Sequence, residues 1–160
     1  VITDNQGSTY LVAEEFYITQ QVVNNGPNMG SYMQTVYHYD DILILKFNAN
    51  GELAWGRSIF KRAGAPSYNA FLKNNQLHII LNSGKNLTEK KDGRTKVSRG
   101  LLESTSLYDI EFNLNGEVSY NKIQDNKGNT FYQPFNGTYK SDRFIMMSTG
   151  GRKKSFMILE

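Results

Sequence analysis

Cysteine is missing from all 160 residues. That absence excludes disulfide staples, thiolate zinc sites and thiol catalysis, and it is neutral about redox compartment. Long apolar runs are missing too. None approaches the ~18 residues of a membrane-spanning helix, and no basic start followed by an apolar stretch marks a signal peptide in this chain. The first residue is Val1 rather than Met, and the chain is expected to be part of a longer one. Helical periodicity is nearly absent, because no extended window holds apolar positions at i, i+3, i+4 and i+7. Charge of one sign is weak, with a formal net charge of +3. One stretch more than accounts for that excess, since Lys85, Lys90, Lys91, Arg94, Lys96 and Arg99 stand against only Glu89 and Asp92. Such a run between apolar segments is first of all a solvated loop.

What is present points to an all-β globular domain. Hydrophobic residues make up 39% and charged residues 21%, a balance that supports a packed core in a chain the size of one domain. Tyr, Phe, Ile, Leu and Val cluster in short runs, and Asn and Gly punctuate them at Asn24-Asn25-Gly26, Asn50-Gly51, Asn74-Asn75, Asn115-Gly116 and Asn126 to Asn129. Asn tolerates the left-handed backbone and Gly adopts it freely, so these corners suit tight hairpins.

An internal repeat organises the strands. Phe47-Asn48-Ala49-Asn50-Gly51-Glu52-Leu53-Ala54-Trp55 matches Phe112-Asn113-Leu114-Asn115-Gly116-Glu117-Val118-Ser119-Tyr120, with identity at five of nine positions. Each copy predicts a hairpin turning at N-x-N-G with its Phe and its Trp or Tyr facing the core. Tyr68 to Phe71 and Leu77 to Leu81 have counterparts in Tyr132 to Phe135 and Phe144 to Met147, while Tyr10 to Ala13 resembles the second strand and Phe156 to Leu159 the third. The predicted unit is therefore four strands, with a connection of variable length between the second and third. One all-β repeat domain covers 1–160. Residues 1–66 form a first partial unit lacking its first strand, 67–124 a complete unit, and 125–160 a last partial unit lacking its fourth strand.

Tandem four-stranded antiparallel sheets predict blade-like repeats, β-propeller-like but partial or open, since closed propellers need about four or more blades. The alternative is a β-sandwich or barrel that contains two similar hairpins. At these residues a resemblance enters. Tyr10 to Tyr17, Tyr37-His38-Tyr39-Asp40-Asp41-Ile42, Phe47 to Trp55 with Ile59-Phe60-Lys61, and Gly151-Arg152-Lys153-Lys154 resemble a group of uncharacterised bacterial exported proteins with β-propeller-like repeats. The resemblance implies an exported location, in the periplasm or at the cell surface, and a propeller-like fold. It brings no activity or site residue.

Candidates for chemistry are few. Glu14-Glu15 and Asp40-Asp41 are adjacent acids, but strand neighbours point to opposite faces, so neither pair can converge on one substrate. His38 and His78 alternate with apolar neighbours and, as only two, do not supply the usual ligand set of a zinc site or a catalytic triad. The N-x-N-G-E turns and Asp125 to Asn129 offer mostly amides where calcium wants carboxylates. The sequence thus points to no catalytic residue, no metal and no cofactor. Tyr32, Tyr37 and Tyr39 form either an aromatic platform or a strand pair continuing the sheet. Lys90, Lys91 and Arg94 could meet an anionic partner, but they lack the interleaved aromatics of a nucleic-acid module. The expected function is a non-enzymatic binding or scaffolding module of the bacterial envelope. It would contact protein or glycan through the connections at 20–39 and 83–106, with self-association open and no nucleic acid or membrane span expected. The rival is a glycosidase-like hydrolase with carboxylates converging from different blades.

Overall fold

The computed structural model describes residues 1–27, 29–61, 63–84, 86–89, 95–98, 105–149 and 154–160. Three consecutive meanders account for nearly all of it. The first sheet runs through β1 (Ile2–Thr3), β2 (Thr9–Asn24), β3 (Ser31–Phe47) and β4 (Leu53–Phe60), each antiparallel to the next. β5 (Tyr68–Lys73) and β6 (Gln76–Ser83) open the second sheet. A hairpin of β7 (Asn86–Glu89) and β8 (Thr95–Ser98) interrupts it, and β9 (Ser106–Phe112) and β10 (Val118–Asp125) complete it. The third sheet is β11 (Thr138–Lys140), β12 (Arg143–Met147) and β13 (Phe156–Leu159). β8 lies parallel to β4 at Ile59 and Phe60, which adds the β7–β8 hairpin to the edge of the first sheet. The fold is all-β, and none of the sheets closes into a barrel.

Alternation along the strands gives the second sheet two buried faces. Leu77, Ile79, Leu81, Tyr108, Ile110 and Phe112 meet Tyr10, Ile42, Ile44, Trp55 and Ile59 of the first sheet in one core. Phe71, Ile80 and Leu107, from the other face, meet Phe144 and Met146 of the third sheet in a second core. The middle sheet is therefore sandwiched, and the near-continuous apolar run in β6 follows from burial on both sides. Asn69 and Asn82 reach from this sheet toward the third: Asn69 donates to the carbonyls of Pro134 (3.2 Å) and Gly137 (2.9 Å), and Asn82 to that of Tyr132 (2.9 Å).

The two N-x-N-G corners fold alike and lie in different sheets. Gly51 N–H donates to Asn48 and Gly116 N–H to Asn113, with φ of +84° and +78° at the glycines. Their flanking aromatics are not equivalent. A bulge beside Phe47 pairs Trp55 with Lys46, whereas Tyr120 pairs with Ile110. One extra residue turns a side chain to the opposite face. Trp55 consequently points forward onto the second sheet, while Tyr120 points back toward the first. Trp55, Phe112 and Tyr120 all reach the core, as expected of the flanking aromatics, whereas Phe47 lies with exposed Leu53 on the outer face of the first sheet, and the expectation that it faces the core is corrected accordingly.

The strands of the two partial units also differ from expectation. The first unit does not lack a first strand: β1 supplies one of two residues. In the last unit Tyr132 to Phe135 is not a strand; Tyr132 makes an isolated bridge to Ser148, and Pro134–Asn136 forms a 3₁₀ turn. The first strand of that unit is β11. Its corner at Ser141 and Asp142 has positive φ at both residues, as Asn74 and Asn75 have in the second sheet.

Alanine at the two glycine corners separates backbone strain from packing. At Gly51 an added Cβ meets nothing within 4 Å, so the cost is the left-handed backbone alone, about 1–2 kcal/mol. At Gly116 the same Cβ would stand 2.8 Å from the Trp55 indole, adding about 1–3 kcal/mol for overpacking. Urea unfolding midpoints should fall further for Gly116→Ala than for Gly51→Ala, and equal losses would contradict the packing described.

Candidate functional site

Two features stand out from the stacked sheets: an arm and a cleft. β2 and β3 outrun their neighbours. β1 reaches only Thr9 and Tyr10, and β4 pairs only with Ile42 to Phe47. From the Phe16–Tyr39 pair to Asn24–Ser31 each strand's only strand partner among the described residues is the other, apart from a bridge between Tyr39 and Ala63 at the base. This is the strand-pair alternative for Tyr32 to Tyr39.

Pleating sorts the arm into two faces. One carries Tyr17, Thr19, Gln21 and Val23 opposite His38, Val36, Gln34 and Tyr32. Its polar groups satisfy one another: the His38 ring stacks on Tyr17 and bonds Thr19 Oγ1 at 2.7 Å, Gln21 donates to Gln34, and Tyr17 donates to buried Asp40. The other face carries Phe16, Ile18 and Val22 opposite Tyr39, Tyr37 and Met33. Ile18 is 52% exposed and Val22 60%. Of the three tyrosines singled out in the sequence, Tyr37 and Tyr39 share this apolar face and Tyr32 lies on the other. Phe16, Ile18, Val22 and Met33 were missed, although Phe16-x-Ile18 already shows the period of two. Lys90, Lys91 and Arg94 lie outside the described residues.

The cleft opens between the second and third sheets. His78 in β6 stands opposite Glu111 in β9, and Asp109 is two residues along on the same face. His78 Nδ1 lies 2.8 Å from Asp109 Oδ2 and 4.0 Å from Glu111 Oε1. Phe71 stacks on the imidazole at 5.1 Å and is itself stacked on Tyr139 and Phe144, so the ring is fixed by aromatic neighbours. Asn121 Nδ2 donates to Glu111 Oε1 at 2.6 Å. The third sheet contributes Asp142 and Glu160 to the same cleft, which encloses about 210 Å³. Burial first, and then the hydrogen bond to Asp142, push the Tyr139 phenol up from its ordinary value. It therefore stays protonated at neutral pH and donates to Asp142 Oδ1 at 2.9 Å.

No family model, curated protein or solved structure matches the chain. Among the described residues no helix is long and apolar enough to cross a membrane. The adjacent acids behave as strand geometry requires: Glu14 turns inward to an ion pair with Lys61 and Glu15 is exposed. Asp125 accepts from Ser106 and pairs with Lys122, while Asn126 donates to Asn82 and Thr105, so the Asp125–Asn129 turn is built from protein contacts. His78 was weighed in the sequence, but its grouping with Asp109 and Glu111 was not legible there, because their proximity depends on the β6–β9 register. Asp109-x-Glu111 on one strand face was the available signal.

Proposed function

We propose that the chain is a non-catalytic binding and scaffolding module, an open propeller-like array whose outer sheet faces take up further sheets of the same kind. The carrying observation is the outer face of the first sheet. Phe47, Leu45 and Leu43 correspond, through the repeated hairpin, to Phe112, Ile110 and Tyr108 of the second sheet. In the second sheet those positions are buried against the sheet before it; in the first sheet Leu43 is exposed, as is Leu53 beside Phe47. The far side of the third sheet likewise exposes Ile145, Met147, Phe156 and Ile158. Faces of this kind mark interaction sites. One resembles the head and the other the tail of an internal interface, which makes the contact heterologous.

In the isolated chain the neighbouring sheet is a second copy. The arm adds a surface suited to protein over glycan, because aliphatic Ile18, Val22 and Met33 lie among its aromatics. The bacterial envelope location rests on the sequence resemblance. One observation favours a hydrolase: Asp109, Glu111, Asp142 and Glu160 surround one cleft. At about 210 Å³ it is smaller than the ~300–1,000 Å³ of most ligand sites. Glu160 also pairs with Arg143, so the binding reading is the stronger.

Sedimentation velocity tests the assembly. Wild-type chain is expected to associate as its concentration rises. Leu43→Arg on the head and Ile158→Arg on the tail should each remain monomeric alone, and an equimolar mixture of the two should give a 1:1 complex. A monomeric wild type, or a mixture no more associated than its components, overturns the proposal. Loss of association in Ile18→Asp, with both face variants still associating, would move the interface to the arm.

A further inference from the structure

We propose that His78, Asp109 and Glu111 form a binding site for a divalent transition-metal ion of the zinc type, one ion per chain. One imidazole nitrogen and two carboxylate oxygens can be chosen within 4.8 Å of one another. A zinc ion with bonds of about 2.0–2.2 Å needs separations of roughly 3–3.5 Å between its ligands. The His78–Asp109 contact at 2.8 Å and the His78–Glu111 contact at 4.0 Å bracket that range, so small side-chain rotations bring all three atoms onto an ion.

A second observation points independently to a cation. Asp109 Oδ1 is buried and, among the described residues, has no hydrogen-bond partner. An orphaned carboxylate oxygen is costly to keep from water, and a metal ion satisfies it through bidentate coordination or a small carboxyl rotation. The surroundings have the character of a supporting shell. Phe71 stacks flat on the imidazole, Asn121 donates to Glu111 Oε1, and Ser119 stands 3.5 Å from Glu111 Oε2. Groups that orient ligands in this way are the usual outer layer of a metal site. The fourth position opens into the cleft that Asp142 and Glu160 also line, leaving room for water or one more carboxylate. A nitrogen donor with only two carboxylates disfavours calcium and magnesium, which prefer all-oxygen sets.

The simpler account is a hydrogen bond between His78 and Asp109 with no ion, and the experiment separates the two. Zinc chloride is titrated into the intact chain by calorimetry, with magnesium present in excess. The expected result is one zinc per chain. His78→Gln and Asp109→Asn should weaken binding at least ~10-fold, and the surface change Asn121→Ala about 10-fold by freeing Glu111. His38→Gln, which removes the other of the two histidines, should leave binding unchanged. Should the ligand variants fail to fold, two-dimensional nitrogen NMR of the wild-type imidazoles decides the matter, since zinc must shift the His78 resonances and leave those of His38 in place. Absence of binding, displacement by magnesium, or equal sensitivity to His38→Gln would each overturn the site.

Discussion

Truncating Trp55 to alanine is expected to cost about 3–5 kcal/mol, the range for removing a large aromatic from a core. The indole is 9% exposed, lies edge-on to Tyr10 with centroids 6.0 Å apart, and stacks near Phe112 at the same distance. It also holds the second hairpin directly. Trp55 Nε1 donates to the Leu114 carbonyl at 2.9 Å, Lys46 Nζ donates to the same oxygen at 3.0 Å, and Arg57 Nε donates to the Gly116 carbonyl at 2.9 Å. Three side chains of the first sheet thus grip one turn of the second. Because Lys46 keeps the Leu114 oxygen bonded, the loss in Trp55→Ala is chiefly a cavity and lost contacts. Trp55→Phe should retain part of the packing and lose less. Gly116→Ala should cost less in the Trp55→Ala background than in wild type, since the atoms it would strike are gone; the two changes are therefore non-additive. Denaturant unfolding followed by far-ultraviolet circular dichroism measures wild type and the four variants, as Trp55 is the one tryptophan. A loss below about 1.5 kcal/mol for Trp55→Ala would contradict its role as the anchor between sheets.

The same residue marks how far the sequence could be read. Both hairpin corners, and all four strands of the complete unit at 67–124, were legible, because Asn-Gly turns and a period of two are local signals. The forward orientation of Trp55 was not, since a single bulged residue decides it and leaves no compositional trace. Tyr132 to Phe135 copied the pattern of Tyr68 to Phe71, yet Pro134 opens a 3₁₀ turn there. The true corner at Ser141 and Asp142 carries positive φ without glycine. The arm was legible as strands in part, but its two faces become distinct only once Phe16 is paired with Tyr39. The cluster of His78, Asp109 and Glu111 depends on long-range register and was therefore invisible until β6 and β9 were aligned.

The ion pair at the base of the arm should give a second large effect. Lys61 follows β4 and is 3% exposed in its side chain, and Glu14 opposite it is 12% exposed. Its ammonium also donates to the Tyr39 carbonyl at 2.9 Å. Tyr39 in turn exchanges backbone hydrogen bonds with Ala63 at 2.9 and 3.1 Å. Lys61 therefore joins the end of β4 to the point where β2 and β3 leave the sheet. Lys61→Met strands the Glu14 carboxylate where water reaches it poorly, and about 3–5 kcal/mol should be lost. Glu14→Gln should be damaging for the converse reason, leaving the buried ammonium with neutral acceptors and no counter-charge. The double change Glu14→Leu with Lys61→Met removes both charges and should recover most of the loss, because a buried pair gains little over well-packed apolar side chains. Amide exchange gives a local reading of the same contact. In Lys61→Met the Tyr39 and Ala63 amides should exchange faster, while those of the middle sheet follow only the global stability. A single variant within about 1 kcal/mol of wild type, or a double variant as unstable as Lys61→Met, would show that the charges there are solvated and that the arm is held by backbone pairing alone.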